Sequence, residues 1–326
     1  MSGRPLRGAL LCGIALILGL AAQCPLIAHA QAGSEELAID FAGQKRTFTV
    51  HLPAKFDTRV GVPLVVMLHG GGGTARAAMW ETGWAAKADR EGFIVAFPEA
   101  LARDPARPAS LAANPRLWND GSERFYPAQS PVDDVGFIAA MLDDLGRRHA
   151  IDARRVYVSG FSNGASMAFR VGAALPDRIA AIAPVAGALW TDPVKLARPV
   201  SMLYITGSAD PLNPIEGGVP RLPGGPSDLV RAKIKPPVRE SIRQWAGALG
   251  CPATPPAAGE VDGMRTETRS RCAGGAEVVY IEIEGQGHTW AGGSGLLPAR
   301  LVGASSNRIV ATDVIWDFFR RHVRSP

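Results

Sequence analysis

The chain has 326 residues, of which 47% are hydrophobic and 20% are charged, so it can bury the core of one large globular domain or of two small ones. Its formal net charge is +5, and its lysines and arginines form no cluster. This weak and dispersed charge excludes a protein that binds nucleic acid through a basic patch.

The first thirty residues differ from the rest of the chain. Two arginines precede an apolar run over residues 8–22, which is shorter than the roughly 20 residues that a membrane span needs. The sequence AHA at 28–30 then places small residues at the two positions that a signal peptidase recognises. We therefore expect residues 1–30 to be a cleaved export signal, and residues 31–326 to form a single domain with no membrane span, secreted to the periplasm or the extracellular space. Loss of the two arginines would lower the net charge from +5 to +3.

The cysteines agree with export. Cys24 allows lipidation as an alternative, but the bulky Gln23 stands where a small residue is expected before a lipidated cysteine. Removal of the signal leaves Cys251 and Cys272, which we expect to pair in an exported protein, the alternative being two free thiols. Neither belongs to a Cys-x-x-Cys motif or lies beside a histidine cluster, so no zinc site is expected.

Short apolar runs alternate with helical patterns along the remaining chain. The expected strands cover residues 46–52, 64–68, 93–97, 156–158, 179–185, 200–205 and 277–283. The expected helices cover residues 75–90, a segment that begins after Asp133 or Asp134, a segment after Ser162, and residues 238–249 and 309–322. Long loops rich in proline are expected at 101–131 and 213–237. This alternation predicts an α/β fold, with a mainly parallel sheet covered by helices on both faces.

The sequence GFSNG at 160–164 fits the nucleophile-elbow pattern G-x-S-x-G. It follows a predicted strand and precedes a predicted helix, so Ser162 is expected at a sharp turn between them. The two glycines would let the strand and the helix approach closely. The pattern alone is weak, because a chain with 37 glycines contains such a motif by chance fairly often. The pattern indicates a nucleophile only if the chain also supplies the base and the carboxylate that a catalytic serine requires.

A serine hydroxyl becomes a good nucleophile when a neighbouring base takes its proton. His288 follows the last predicted strand, and the carboxyl ends of parallel strands are where such sheets place their sites. Asp210 follows another strand and is the expected carboxylate partner of that base, although it could also be a turn residue before Pro211. The order Ser162, Asp210, His288 is the order found in α/β-hydrolases. Asp192 and Asp228 are weaker alternatives to Asp210 because no strand directly precedes them.

Acyl transfer also needs donors for a developing oxyanion. We expect one donor to be the amide of Asn163, directly after the nucleophile. The glycine run that follows His69 supplies the second donor, with Gly71 expected and Gly70 or Gly72 as alternatives. His69 is expected to orient this loop and not to act as the base.

Six segments together resemble the secreted α/β-hydrolase esterases that include poly(3-hydroxybutyrate) depolymerases and feruloyl or acetylxylan esterases. They are PLVVMLHGGGG (63–73), WND (118–120), DDVGFIAAMLDDL (133–145), RRVYVSGFSNGASMAFR (154–170), ITGSADP (205–211) and GQGHTWAGG (285–293). The resemblance implies that Ser162, Asp210 and His288 form a catalytic triad. It also suggests Trp118 and Trp290 as walls of the acyl pocket.

The expected activity is therefore that of a secreted serine carboxylesterase that uses no metal or organic cofactor. Its expected partner is a small or oligomeric ester: a hydroxyalkanoate oligomer, a feruloyl ester or a similar short or aryl ester. Polymer-degrading relatives often have a cysteine where this chain has Gly71, and no appended polymer-binding domain is recognised, so soluble esters are expected to be better substrates than crystalline polymer. The alternatives are a true polymer depolymerase, a serine peptidase on the same fold and a binding protein without catalytic activity.

Overall fold

The computed structural model describes residues 33–54, 60–111, 113–126, 130–190, 194–219, 234–254 and 256–325. The strands are β1 (Gly33–Phe41), β2 (Gln44–Leu52), β3 (Val62–Leu68), β4 (Ile94–Pro98), β5 (Ile151–Phe161), β6 (Ala181–Val185), β7 (Ser201–Gly207), β8 (Ala257–Val261), β9 (Met264–Arg269) and β10 (Val278–Ile283). The helices are α1 (Ala75–Thr82), α2 (Trp84–Glu91), α3 (Asp134–Arg148), α4 (Asn163–Ala174), α5 (Val238–Ala248), α6 (Ala299–Val302) and α7 (Ala311–Phe319). The expected export signal and the alternatives Asp192 and Asp228 lie outside the described residues.

A single ten-stranded sheet runs through the described part of the chain, in the order β1-β2-β4-β3-β5-β6-β7-β10-β9-β8. The six central strands, β4, β3, β5, β6, β7 and β10, are parallel to one another. Antiparallel strands extend both edges, with β1 and β2 at one end and β9 and β8 at the other. The predicted mainly parallel sheet is therefore confirmed. No helix in the described residues is long and apolar enough to cross a membrane.

Two hydrophobic clusters cover the two faces of the sheet. All seven residues of β3 are buried, and successive residues alternate between the clusters: Leu64 and Val66 belong to one, Val65 and Met67 to the other. Helices α3, α4 and α5 contribute to the first cluster, and α1, α2 and α7 to the second. A fully buried aliphatic side chain stabilises the fold by about 1.5–3 kcal/mol, so the central strands supply much of the stability. The predicted helical layers on both faces are confirmed.

One predicted helix is wrong. Residues 75–90 form two helices, because Gly83 adopts a left-handed backbone with φ 68° and ends α1. Thr74 caps α1 by accepting a hydrogen bond from the Ala77 amide at 3.0 Å. Glycine tolerates positive φ without steric cost, so the chain changes direction there. The predicted cap of α3 is confirmed, since Asp133 accepts a hydrogen bond from the Gly136 amide at 2.8 Å.

Three strands in the outer parts of the sheet, β1, β8 and β9, were not predicted. All five residues of β8 are exposed, so the strand carries no buried apolar run that would reveal it. Strand β1 alternates between exposed and half-buried residues. Pairing with a neighbouring strand, and not burial, holds these segments in the sheet.

The predicted disulfide between Cys251 and Cys272 is confirmed. It joins the segment after α5 to the segment before β10, and the two residues are 21 positions apart. The β8–β9 hairpin lies inside the loop that the bridge closes.

Replacing both cysteines by serine should lower the free energy of unfolding by about 3 kcal/mol, because the bridge restricts the unfolded chain. Urea unfolding of the mature protein and of the double variant would measure the difference. The number of alkylatable thiols in the native protein provides the control, and two such thiols would contradict the bridge.

Candidate active site

Ser162 occupies a one-residue turn between β5, which ends at Phe161, and α4, which begins at Asn163. Its backbone angles are φ 56° and ψ −117°, a region that costs a residue with a side chain about 1–3 kcal/mol. The Ser162 amide donates to the Val185 carbonyl at 2.9 Å, and the Ser162 carbonyl accepts from two amides of α4. The surrounding hydrogen bonds thus hold the serine in its strained conformation.

The two glycines of the elbow leave no space for a side chain. A Cβ atom at Gly160 would collide with the backbone of Gly164, and one at Gly164 would collide with the carbonyl oxygens of Leu68 and His69. Helix α4 can therefore approach β3 and β5 only where both residues are glycine. This close approach brings Ser162 beside the loop that follows β3.

His288 and Asp210 follow the neighbouring parallel strands β10 and β7, in which Ile283 pairs with Gly207. His288 Nδ1 lies 2.8 Å from Asp210 Oδ2, and both side chains are buried. The other carboxylate oxygen accepts from the amides of Leu212 at 2.8 Å and Asn213 at 2.7 Å. Because a carboxylate can only accept, this contact requires a proton on Nδ1, and Nε2 is the ring nitrogen left to exchange a proton.

Phe161 brings the serine elbow and the histidine together. Its ring centroid lies 4.8 Å from that of His288, and Ser162 is the next residue along the chain. Among the described residues, Ser162 Oγ and His288 Nε2 are not joined by a hydrogen bond. Such a bond is often long without substrate and shortens in the reacting complex.

In the loop after β3, the peptide group between Gly70 and Gly71 faces the elbow. The carbonyl of Gly70 accepts from His69 Nδ1 at 2.7 Å and from the Gly73 amide at 2.9 Å. In a trans peptide the N–H points away from the preceding carbonyl, so the Gly71 N–H points away from His69. The Gly72 amide donates to the Arg116 carbonyl at 2.7 Å, which removes the predicted alternative Gly72 as a free donor.

Gly71 lies beside Asn163, since a Cβ atom at Gly71 would be 3.6 Å from the Asn163 Cβ. The backbone N–H groups of these two residues have no acceptor within the described part of the chain. Asn163 is also the first residue of α4, where unpaired amides and the helix dipole favour negative charge. The arrangement can bind an oxyanion.

His69 is a neutral structural group. Burial lowers the pKa of His69 to about 4. Its Nδ1 donates to the Gly70 carbonyl, and its Nε2 accepts from the Ala100 amide at 3.1 Å. Both ring nitrogens are therefore used in holding the glycine loop.

The side chain of Asn163 is held by the WND segment. Its Oδ1 accepts from the Trp118 amide at 2.7 Å, and its Nδ2 donates to the Trp118 carbonyl at 3.2 Å and to Asp120 Oδ2 at 2.9 Å. Sequence reasoning noted WND only as part of a resemblance. Its contacts show that it fixes the residue directly after Ser162.

Trp118 and Trp290, the predicted walls of the acyl pocket, are both buried. The Trp118 indole is fully buried and donates to the His69 carbonyl at 2.9 Å. The Trp290 indole is also buried and donates to Thr312 Oγ1 at 3.0 Å. Neither residue is among those that line the cavity beside the elbow, and their contact with an acyl group stays a prediction.

A cavity of about 280 Å³ adjoins the elbow. The glycine loop, Phe161 and His288 line it on the side of the candidate catalytic groups. Part of its surface is apolar, because three exposed leucines also line it: Leu111, Leu296 and Leu297. A larger hollow of about 1050 Å³ is lined by Asp210 and not by His288, and Ser162 lines neither space.

Glu81 is a lining residue that sequence reasoning missed. It is buried, and burial raises the pKa of Glu81 to about 7. Its place near the end of an amphipathic helix gave no sign that the carboxyl faces a cavity. Within the described residues, no group of three or more histidine, cysteine or acidic side chains is arranged to hold a metal ion.

The sheet order and the elbow define an α/β-hydrolase. Solved structures agree: a thermostable esterase matches with a TM-score of 0.55 at 15% identity, covering 89% of this chain and 63% of that one. An acetyl xylan esterase from Aspergillus awamori matches with a TM-score of 0.53 at 16% identity, covering 78% of this chain and 94% of that one.

Sequence comparison identifies the family. Residues 47–241 match the family model described as esterase PHB depolymerase, and the chain belongs to that family of carboxylic ester hydrolases. NocK from Nocardia uniformis subsp. tsuyamanensis, a candidate esterase, is 32% identical over 90% of this chain and 83% of its own length. Feruloyl esterase B from Piromyces equi is 31% identical over 74% of this chain. Poly(3-hydroxyalkanoate) depolymerase C from Paucimonas lemoignei is 26% identical over 73%. The matches span 42% and 57% of the lengths of these last two proteins.

The raised pKa of Glu81 predicts a pH-dependent cost. The folded protein holds the Glu81 proton more tightly than the unfolded chain, whose pKa is near 4.5, so stability is lost as the pH rises from there through about 7. Glu81→Gln cannot ionise, so it should be more stable than the parent protein by up to ~3 kcal/mol at pH 8 and by much less at pH 4.5. Urea unfolding of both proteins at the two pH values would measure this, and equal differences at both would contradict the prediction.

Proposed function

We propose that this protein hydrolyses esters through an acyl-enzyme intermediate, with Ser162 as nucleophile, His288 as general base and Asp210 as the group that orients His288. The observation that carries the proposal is the 2.8 Å contact between His288 Nδ1 and Asp210, beside a strained serine elbow. The family membership supplies the reaction class.

In the first half-reaction, Ser162 Oγ attacks the ester carbonyl carbon while His288 Nε2 takes the hydroxyl proton. The carbonyl oxygen becomes an oxyanion in the tetrahedral intermediate. Its C–O bond to the alcohol then breaks, and His288 returns the proton to the departing alkoxide. The products are a free alcohol and an acyl group on Ser162. Asp210 stabilises the imidazolium that exists between the two proton transfers.

In the second half-reaction, water takes the place of the serine. His288 accepts a proton from the water as its oxygen attacks the acyl carbon, and then returns the proton to Ser162 Oγ as the acid leaves. The Gly71 and Asn163 amides donate to the oxyanion in both half-reactions. Loss of one such donor raises the barrier by about 3–4 kcal/mol in related chemistry. His69 and the WND segment keep these two amides in position.

We further propose that the mature protein is a secreted single domain, residues 31–326, after removal of residues 1–30. The Cys251–Cys272 bridge supports an oxidising compartment. The proposed substrates are soluble esters with short or aryl acyl groups, including hydroxyalkanoate oligomers and feruloyl esters, in keeping with the names of the relatives.

Ser162→Ala should lower kcat by roughly 10⁶-fold, and His288→Ala by a similar factor, because the nucleophile and the base act as a unit. Asp210→Asn should cost about 10⁴-fold. Hydrolysis of p-nitrophenyl butyrate measures turnover, and a fluorophosphonate probe measures labelling of the serine. Ser305→Ala, at an exposed serine, is the control and should keep full activity. A Ser162→Ala protein that retained a tenth of the activity or still bound the probe would refute the assignment.

Soluble esters should be cleaved much faster than crystalline polyester. His288 is only 7% exposed and the cavity beside it has a volume of about 280 Å³, so a polymer segment must leave the solid before it can enter. The test compares a soluble hydroxybutyrate oligomer, methyl ferulate and a crystalline poly(hydroxybutyrate) suspension at equal ester content. Rapid clearing of the suspension with slow turnover of both soluble esters would identify a true depolymerase instead.

A further inference from the structure

The candidate active-site cavity contains a carboxyl group that the proposed mechanism does not use. Glu81, at the last turn of α1, lines the cavity together with His288 and the glycine loop. Its side chain forms no hydrogen bond or ion pair with any residue that the structure describes, although the residue is only 7% exposed. Its backbone is fixed, because the Glu81 carbonyl accepts from the Ser294 amide at 3.0 Å.

The other polar side chains of the lining are either paired or shielded. His69 holds the glycine loop, Thr74 caps α1 and His288 contacts Asp210. Thr289, directly after His288, is 6% exposed, and its hydroxyl oxygen is fully buried. Glu81 is therefore the polar side chain of the described lining that is both unpaired and not fully shielded.

Burying a polar group without a partner is costly, and an apolar side chain of similar size would avoid that cost. Most of the nearby lining is apolar, including Ala77, Ala78 and Val302. An unsatisfied polar group in such a lining is the arrangement that a ligand-binding pocket uses to select a polar group on its ligand.

We propose that Glu81 recognises a free hydroxyl group on the ester substrate. The inference rests on the proposed function and narrows its substrate class to hydroxylated esters. A hydroxyl can donate to a carboxylate and accept from a carboxylic acid, so it suits Glu81 in either protonation state. An ammonium group would need acceptors for three N–H bonds, and the largely apolar lining suits it less.

Burial also raises the pKa of Glu81 to about 7, so below that pH the carboxyl is available as a donor. The titratable side chains that share the cavity with it are His69 and His288. His69 is neutral over the working range, because burial lowers its pKa to about 4.

The experiment compares pairs of esters that differ by a hydroxyl in place of a methyl group. One pair varies the acyl side: p-nitrophenyl 3-hydroxybutyrate against p-nitrophenyl 3-methylbutyrate. The other varies the alcohol side: 2-hydroxyethyl butyrate against propyl butyrate. We expect the parent enzyme to prefer the hydroxylated member of at least one pair. Glu81→Leu should lower kcat/KM for that member by tenfold or more, mainly through KM, and should change its apolar partner less than threefold.

Two further variants control the experiment. Glu81→Gln keeps hydrogen-bonding groups and should retain part of the preference. Glu91→Gln changes a carboxylate that pairs with Lys87 on α2, outside the cavity lining, and should leave the preference unchanged. If Glu81→Leu does not fold, Glu81→Met, with an unbranched apolar side chain of similar length, tests the preference in its place.

Equal losses for both members of each pair, or a parent enzyme with no preference in either pair, would overturn the inference. Preferential cleavage of 2-aminoethyl butyrate would also overturn it, in favour of a cationic substrate. These results leave the proposed function intact as long as the apolar esters are cleaved and Ser162 is labelled by the fluorophosphonate. An enzyme that cleaves none of the esters refutes both proposals.

Discussion

The backbone at Ser162 is the constraint on which the rest of the site depends. A serine holds φ 56° only because β5 and α4 are both anchored around it, through the Val185 carbonyl and the first turn of the helix. The same turn requires glycine at positions 160 and 164, since the helix start packs directly against the carbonyls at the end of β3. The strained turn, the glycine loop after β3 and the first amide of α4 therefore depend on the same close packing of α4 against β3.

Polar side chains bonded to the backbone extend this arrangement outward. Asp134 accepts from the Asn119 amide at 2.7 Å and pairs with Arg46 at 2.7 Å, and both side chains of this ion pair are buried. Asn119 lies between Trp118 and Asp120, the two residues that hold the Asn163 side chain. A buried pair of this kind adds little net stability, but losing one partner leaves an uncompensated charge. The ion pair instead fixes positions, because it connects β2 and α3 to the loop that holds the Asn163 side chain.

The central strands could be predicted from sequence because a strand buried on both faces is a continuous apolar run, as in β3. The edge strand β8 could not, because pairing alone holds its exposed residues in the sheet. That Ser162, Asp210 and His288 lie at one edge of the sheet could be predicted because each follows a strand, and parallel strands end at one edge. The buried hydrogen bonds of Trp118 and Trp290 could not be predicted, because the sequence does not show which acceptor an indole N–H will reach. Glu81 escaped notice because helical periodicity does not reveal which side chain faces a cavity.

The disulfide has a consequence for His288. The exposed hairpin β8–β9 forms the outer border of the sheet, where local fraying begins most easily because little apolar surface is buried. Cys251 and Cys272 lie at the two ends of the segment that contains this hairpin. The bridge between them closes this segment just before β10, the strand that leads to His288. Fraying of the hairpin can therefore stop at the bridge, before it loosens the strand that carries the proposed base.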